Sequence, residues 1–225
     1  VTITIITLFP EVFAEFLQSS IIGRGIEKKL VKVKLIRLRD FARDKHKTCD
    51  DAPFGGGAGM VLKAEPLARA IRKAGGKKKR VIYPSPSGRL LNQNLVCRLA
   101  QEKEIVIVCG HYEGIDQRII DTFVTDEISI GDYIVSAGET AAMVIVDAVN
   151  RMVSGVINRQ SLEEESFQDG LLEYPHYTRP RKILGLEVPV VLLSGNHAEI
   201  EKWRLEQRIK KTRENRPELL KHKKP

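Results

Sequence analysis

Four consecutive apolar residues, Ile105, Val106, Ile107 and Val108, open the stretch "IVIVCGHYEGID" and stop against a polar, glycine-bounded loop. A run this short, with β-branched side chains throughout, fits a strand covered on both faces, as in the centre of a parallel sheet. Parallel neighbours need a crossover between them, normally a helix. The chain supplies that alternation. Strand-like runs at 2–8, 31–38, 80–83, 104–109 and 127–130 interleave with helix-like stretches at 10–19, 65–74, 92–103, 115–123 and 139–153. The order predicts an α/β fold, and 225 residues suffice for one good core with a smaller unit attached.

The segment "ETAAMVIVDAVNRMV" is apolar almost all round, which predicts burial against the sheet or, the favoured reading, against a second subunit. After Gly155 the texture changes to "VINRQSLEEESFQDGLLEYPHYTRPRKILGLEVP", with no sustained period, which reads as a linker or mobile loop. Beyond it "NHAEIEKWRLEQRIKKTREN" reads as a helix capped by Asn196, with Ile200, Trp203 and Ile209 on one edge and basic faces elsewhere. The expected division is an α/β domain over 1–158, a mobile linker over 159–175 and a helical, basic domain over 176–225.

Charge narrows the partner. The net charge is +8, yet residues 24–47 alone carry +7 and residues 201–225 carry +6, so the remainder is mildly acidic. Two basic faces on a near-neutral body predict a clamp on phosphates, with a nucleic acid the expected polyanion. Within the second face Lys202, Arg204, Arg208, Lys210 and Lys211 are the candidate phosphate contacts. Cys49, Cys97 and Cys109 are odd in number and lack C-x-x-C spacing, which predicts reduced thiols, no zinc site and a cytoplasmic location. No apolar run approaches the ~20 residues of a membrane span, and "VTITIITLF" leads straight into Pro10 and Glu11 as a first strand would. No membrane partner is expected.

Three loops follow strands and are expected to converge: "YPSPSGR" from Tyr83, "CGHYEG" from Cys109 and "SIGDYIVSAGE" from Ser129. They offer backbone donors, small residues and tyrosines but no basic cluster, which suits an adenosine-like ligand and not a triphosphate. The first strand lacks the glycine-rich turn of Rossmann-type methyltransferases. Upstream, "PFGGGAGM" matches neither a phosphate loop nor a dinucleotide fingerprint, and its glycines permit close approach to a base or a cofactor.

These loops, with "DKHKTCDDAPFGGGAGM" upstream and "GLLEYPHYTRP" and "VLLSGNHAEIEKWR" downstream, resemble the bacterial tRNA (guanine-N1)-methyltransferases over essentially the whole chain. The resemblance implies a SPOUT-type parallel sheet with a deep trefoil knot, a small helical C-terminal domain and an obligate homodimer. It implies S-adenosylmethionine as donor, tRNA with G at position 37 as acceptor with no DNA partner, and dependence on Mg²⁺. Neither periodicity nor spacing would show a knot.

Carried over residue by residue, the cofactor pocket comprises Tyr83, Pro84, Ser85 and Pro86, then Gly110, Tyr112, Glu113 and Gly114, then Ser129, Ile130, Gly131, Asp132, Tyr133, Ile134, Val135, Ala137 and Gly138. The catalytic pair is Arg151 and Glu165, each reaching the active site of the other subunit. Asp50, Gly55, Gly59 and His176 would contact tRNA, and Glu113 is the candidate Mg²⁺ ligand. This chain departs from the family pattern in placing Glu165 where aspartate is usual, with Glu164 the alternative register, and in having Ala58 and Ala137 where proline and glycine are common. Two other functions remain open at this level: a related knotted enzyme acting on ribose 2′-hydroxyls of ribosomal RNA, and a catalytically silent RNA-binding factor.

Overall fold

In the computed structural model, residues 1–158, 161 and 165–221 are described, and they form two compact units, Val1–Ile157 and Asn158–Pro225. The first unit is built on β1 (Thr2–Thr7), β2 (Lys32–Arg37), β5 (Arg80–Leu90), β6 (Glu104–Val108) and β7 (Asp126–Ser129), all parallel, in the order β2-β1-β6-β5-β7. The short strands β3 (Asp50–Asp51) and β4 (Val61–Leu62) pair separately.

The central strand behaves as its composition requires. Ile105 and Ile107 pack into one buried cluster while Val106 and Val108 pack into the other, so alternate side chains serve opposite faces of the sheet. One face is covered by α2 (Ser20–Glu27), α4 (Gln93–Ala100) and α6 (Gly138–Met152). The other is covered by α3 (Ala64–Ala74) and α5 (Gln117–Phe123). Side chains hold the starts of two of these helices: Asn92 accepts from Leu95 N at 3.0 Å before α4, and Asp116 accepts from Arg118 N at 2.9 Å before α5.

Three elements differ from the sequence expectation. The helix expected over 10–19 is a 3-10 turn followed by the short α1 (Ala14–Gln18), and α2 follows it directly. Gly23 and Gly25 lower the helix propensity of α2 and hide it, but they serve close packing. A β-carbon on Gly23 would lie 2.5 Å from the Gln18 carbonyl oxygen, and one on Gly25 would lie 2.4 Å from Asn150 Oδ1. Strand β5 also continues past Tyr83 to Leu90. Pro84 and Arg89 both pair with Ile128, so the residues between them leave the sheet as a wide bulge and return to the same register.

The third difference concerns α6. Ala142, Ile145, Val146 and Val149 belong to the unit's own core, which explains much of the helix's apolar circumference. Its outward side carries Val144, 43% exposed.

In the second unit α7 (His197–Asn215) is capped by Asn196 and ends near Arg216. Leu172 N donates to Thr212 Oγ1 at 2.9 Å, while Leu171 and Tyr174 are buried. The same unit contains a hairpin of β8 (Lys182–Ile183) and β9 (Leu186–Glu187), a 3-10 turn over Val190–Leu193 and a short helix over Glu218–Lys221. No helix among the described residues is long and apolar enough to cross a membrane.

Candidate active site

The three loops do converge. At the carboxyl ends of β5, β6 and β7 they enclose a cavity of about 300 Å³, at the lower end of the range for small-molecule sites. All the expected cofactor residues line it except Asp132: Tyr83, Pro84, Ser85 and Pro86 from the bulge, Gly110, Tyr112, Glu113 and Gly114 after β6, and Ser129, Ile130, Gly131, Tyr133, Ile134, Val135, Ala137 and Gly138 after β7. The lining contains no lysine or arginine.

The bulge is closed at its base by charge. Asp126 accepts from Arg80 Nε at 2.8 Å and Nη2 at 3.0 Å, and it also pairs with Arg89, the residue at which β5 re-enters the sheet. Burial alone would raise the Asp126 pKa, but the Arg80 and Thr125 hydrogen bonds and the two guanidinium charges outweigh it and hold the carboxyl below its ordinary value. Burial, with Glu127 adding to it, raises the Tyr83 phenol pKa, so this ring stays neutral in the pocket wall.

Close approach demands two glycines here. Gly138 N donates to Gly110 O at 2.9 Å, and a β-carbon on Gly138 would lie 2.5 Å from Gly110 N. On Gly110 it would lie 2.9 Å from the Tyr83 ring. The segment leading into α6 thus lies against the backbone that ends β6. A third contact joins the glycine loop to the pocket. Glu113 N donates to Met60 O at 3.0 Å, and a β-carbon on Gly59 would lie 2.4 Å from Glu113 Oε1.

Sequence reading missed four lining residues, His111, Ile128, Ser136 and Ala141. His111 is the chemically significant one. Its Nε2 lies 2.6 Å from Glu139 Oε2, and Glu139 also accepts a hydrogen bond from the Thr7 hydroxyl. Its ring meets Phe9 and Tyr112 edge-on, at 5.2 Å and 6.0 Å between centroids. Cys109, immediately before this loop, is buried, and burial reinforced by the Glu139 charge raises its thiol pKa well above the usual value. It is therefore no nucleophile.

Arg151 lies in the last turn of α6 in the first unit, and Glu165 lies in the second. Glu164, the alternative register, falls outside the described residues. Of the expected tRNA contacts, Asp50 is in β3 and Gly55 and Gly59 have left-handed backbone angles of 89° and 87° in the glycine loop. His176 lies 3.6 Å from Glu173. Along α7, Lys202 and Lys210 are exposed and Lys211 is partly so. Arg208 is committed to Asp169 and to Leu172 O at 3.2 Å, and Arg204 stacks over Tyr174 at 4.5 Å.

The cavity fits an adenosine-like cofactor: apolar walls from Ile128, Ile130, Ile134, Val135 and Ala141, backbone groups from glycines, and the Glu113 carboxylate for a cationic part. Mg²⁺ does not find a comparable fit. Among the described residues no group of three or more His, Cys, Asp or Glu side chains comes together, at Glu113 or elsewhere.

Fold and pocket define a parallel-sheet α/β protein with a cavity beyond its strand ends whose lining lacks lysine and arginine. The family described as tRNA (Guanine-1)-methyltransferase TrmD matches residues 1–222, and the chain belongs to that family. It is 55% identical over 216 residues to the tRNA (guanine-N(1)-)-methyltransferase of Treponema denticola, covering 96% of this chain and 89% of the relative. The Treponema pallidum protein of the same name is 52% identical over 218 residues, 97% of this chain and 87% of its own length. That of Borreliella burgdorferi is 54% identical over 218 residues, 96% and 91% respectively.

Proposed function

We propose that the chain transfers a methyl group from S-adenosylmethionine to N1 of guanosine 37 in tRNA, next to the anticodon. The observation that carries this is the cavity formed by three post-strand loops, with no lysine or arginine in its lining, in a chain of the tRNA (guanine-N1)-methyltransferase family. S-adenosylmethionine, when bound, supplies an electrophilic methyl group on a sulfonium. The apolar walls exclude water around it, and Glu113 favours a positive charge at the mouth.

Guanine N1 carries a proton and attacks poorly until that proton leaves. In this reading an Oε of Glu165 accepts it, and Arg151 stabilises the negative charge that grows on O6, a donor of the kind worth about 3 kcal/mol. The second unit, Asn158–Pro225, supplies tRNA contacts, with the exposed Lys202 and Lys210 foremost. The homodimer with a shared active site belongs to the same proposal, supported by the exposed Val144 on α6. So does the trefoil knot, supported by the backbone contact of Gly138 with Gly110.

Methyl transfer to tRNA transcripts bearing G or A at position 37, followed by mass spectrometry of the released nucleosides, tests the whole reading. N1-methylguanosine from the G37 transcript alone is expected. A ribose-methylated nucleoside, or equal transfer to the A37 transcript, overturns it.

A further inference from the structure

Over α3 and α5 lies a second concavity, of about 510 Å³, into which four arginines converge: Arg43, Arg69, Arg72 and Arg118. Glu65 is the carboxylate among its lining residues, and lysine is absent from them. The arginines come from three separate segments, the loop after β2, helix α3 and the start of α5. Arg69 is committed, donating to Phe41 O at 2.8 Å and pairing with Glu65 at 3.1 Å. Arg118 pairs with Asp116 yet keeps 73% of its side chain exposed. Arg72 rests its guanidinium 5.6 Å above the Phe123 ring. Neither Arg72 nor Arg43 has an ion-pair partner among the described residues.

Scattered surface cations need no explanation, but these are not scattered. Like charges held in a concave surface repel one another and focus a positive potential, an arrangement that a bound polyanion relieves. Their identity is selective as well. The basic segments at 24–47 and 201–225 mix lysine with arginine, whereas this groove uses arginine alone, whose planar fork matches a phosphate's oxygens in pairs.

The groove also leads somewhere. A neighbouring concavity of about 1010 Å³ shares Arg43, Arg69 and Arg118 with it and runs to Phe54, whose side chain is fully exposed at 101%. Phe54 belongs to the glycine loop, and Gly59 of that loop abuts Glu113 in the wall of the cofactor pocket. The glycine loop thus lies between the pocket and this neighbouring concavity, whose lining sets Asp44, Asp51, Glu65 and Asp116 beside Lys63 and the shared arginines, so positive charge predominates only in the arginine groove itself. We infer that the arginine groove receives backbone phosphates of the tRNA strand flanking the target nucleotide. This rests on the tRNA-methylating reading of the pocket.

The test is a double variant, Arg43→Gln with Arg72→Gln, two exposed residues outside the proposed catalytic and cofactor groups. tRNA affinity is measured over a salt series, beside S-adenosylmethionine affinity and the rate at saturating tRNA. The log-log salt slope should fall by about 1.4 to 1.8, since each lost phosphate contact contributes about 0.7 to 0.9. Cofactor affinity and the saturated rate should hold, with the loss appearing in KM for tRNA. Lys77→Gln with Lys78→Gln removes the same charge from the exposed turn before β5 and should leave the slope in place. An unchanged slope in the arginine variant, or an equal fall in the lysine control, overturns the inference. Failure of the unaltered protein to methylate G37 strikes the pocket reading instead, and the slope comparison distinguishes the two.

Discussion

Glu139 and His111 meet at 2.6 Å at the pocket, His111 as part of its lining and Glu139 only 2% exposed. Thr7 accepts from Phe9 N at 2.9 Å and donates its own proton to the same carboxylate. A carboxylate so far from water needs polar partners around it, and here the Thr7 hydroxyl and the His111 ring nitrogen supply them. The end of β1, the loop after β6 and the first turn of α6 are joined at that one side chain.

Glu139→Ala should therefore cost stability as well as ligand affinity. It leaves the Thr7 hydroxyl without its acceptor and the His111 ring nitrogen without its polar partner, at about 1–3 kcal/mol for each buried group left unsatisfied. Urea denaturation should show that loss, and calorimetry should show weaker S-adenosylmethionine binding with tRNA affinity retained. Unchanged denaturation would mean the network holds nothing together.

At Gly138 the effect should be confined to the cofactor. Gly138→Ala places a β-carbon against backbone and not against a side chain that can swing away. We expect S-adenosylmethionine affinity to fall by roughly tenfold or more, equivalent to about 1.4 kcal/mol, while the circular dichroism spectrum stays native. Equal affinity would show that the contact relaxes freely.

For the proton acceptor, Glu165→Gln keeps size and hydrogen-bonding reach but cannot take the N1 proton. Single-turnover transfer should drop by about 10² to 10⁴ with cofactor and tRNA affinities little changed. Glu165→Asp should retain substantial activity, and Glu164→Gln should be nearly silent. Activity lost at Glu164 and kept at Glu165 would move the assignment by one residue.

Acid should loosen the base of the β5 bulge. The Asp126 carboxyl is held below its ordinary value, so its stabilising contribution is present above the unfolded-state pKa of about 3.9 and is lost as pH falls through the folded value. Asp126→Asn should lower the urea midpoint at neutral pH and flatten its decline below about pH 4. A decline as steep as the parent's would place the acid-sensitive groups elsewhere.

The dimer is tested at Val144, because Val146 lies in the unit's own core. Val144→Asp should yield a folded monomer without methyl transfer in sedimentation and activity assays, whereas Val146→Asp should unfold the chain. A folded, active Val144→Asp monomer would exclude α6 from the interface.

The core was legible because β6 needs apolar side chains on both faces, and four consecutive residues declare it. The pocket was legible too, since loops after parallel strands converge by topology and their lack of a basic cluster limits what they hold. His111 escaped notice inside a quoted motif, because a lone histidine means little until Glu139, distant in sequence, is brought beside it. Helix α2 hid behind Gly23 and Gly25, whose role is contact and not propensity. The bulge in β5 read as a plain loop, since its proline, serine and glycine conceal a return to the same partner. Roles for Arg151 and Glu165 came from resemblance alone, with no spacing that would have singled them out.

Because Pro84 and Arg89 share Ile128 as partner, the sheet is indifferent to what lies between Ser85 and Ser87. Residues there can be exchanged, or their number altered, without shifting a single core side chain by one register position. The wall of the pocket is thus free to diverge among descendants of this scaffold while its foundations stay put, so that ligand preference and foldability are inherited separately.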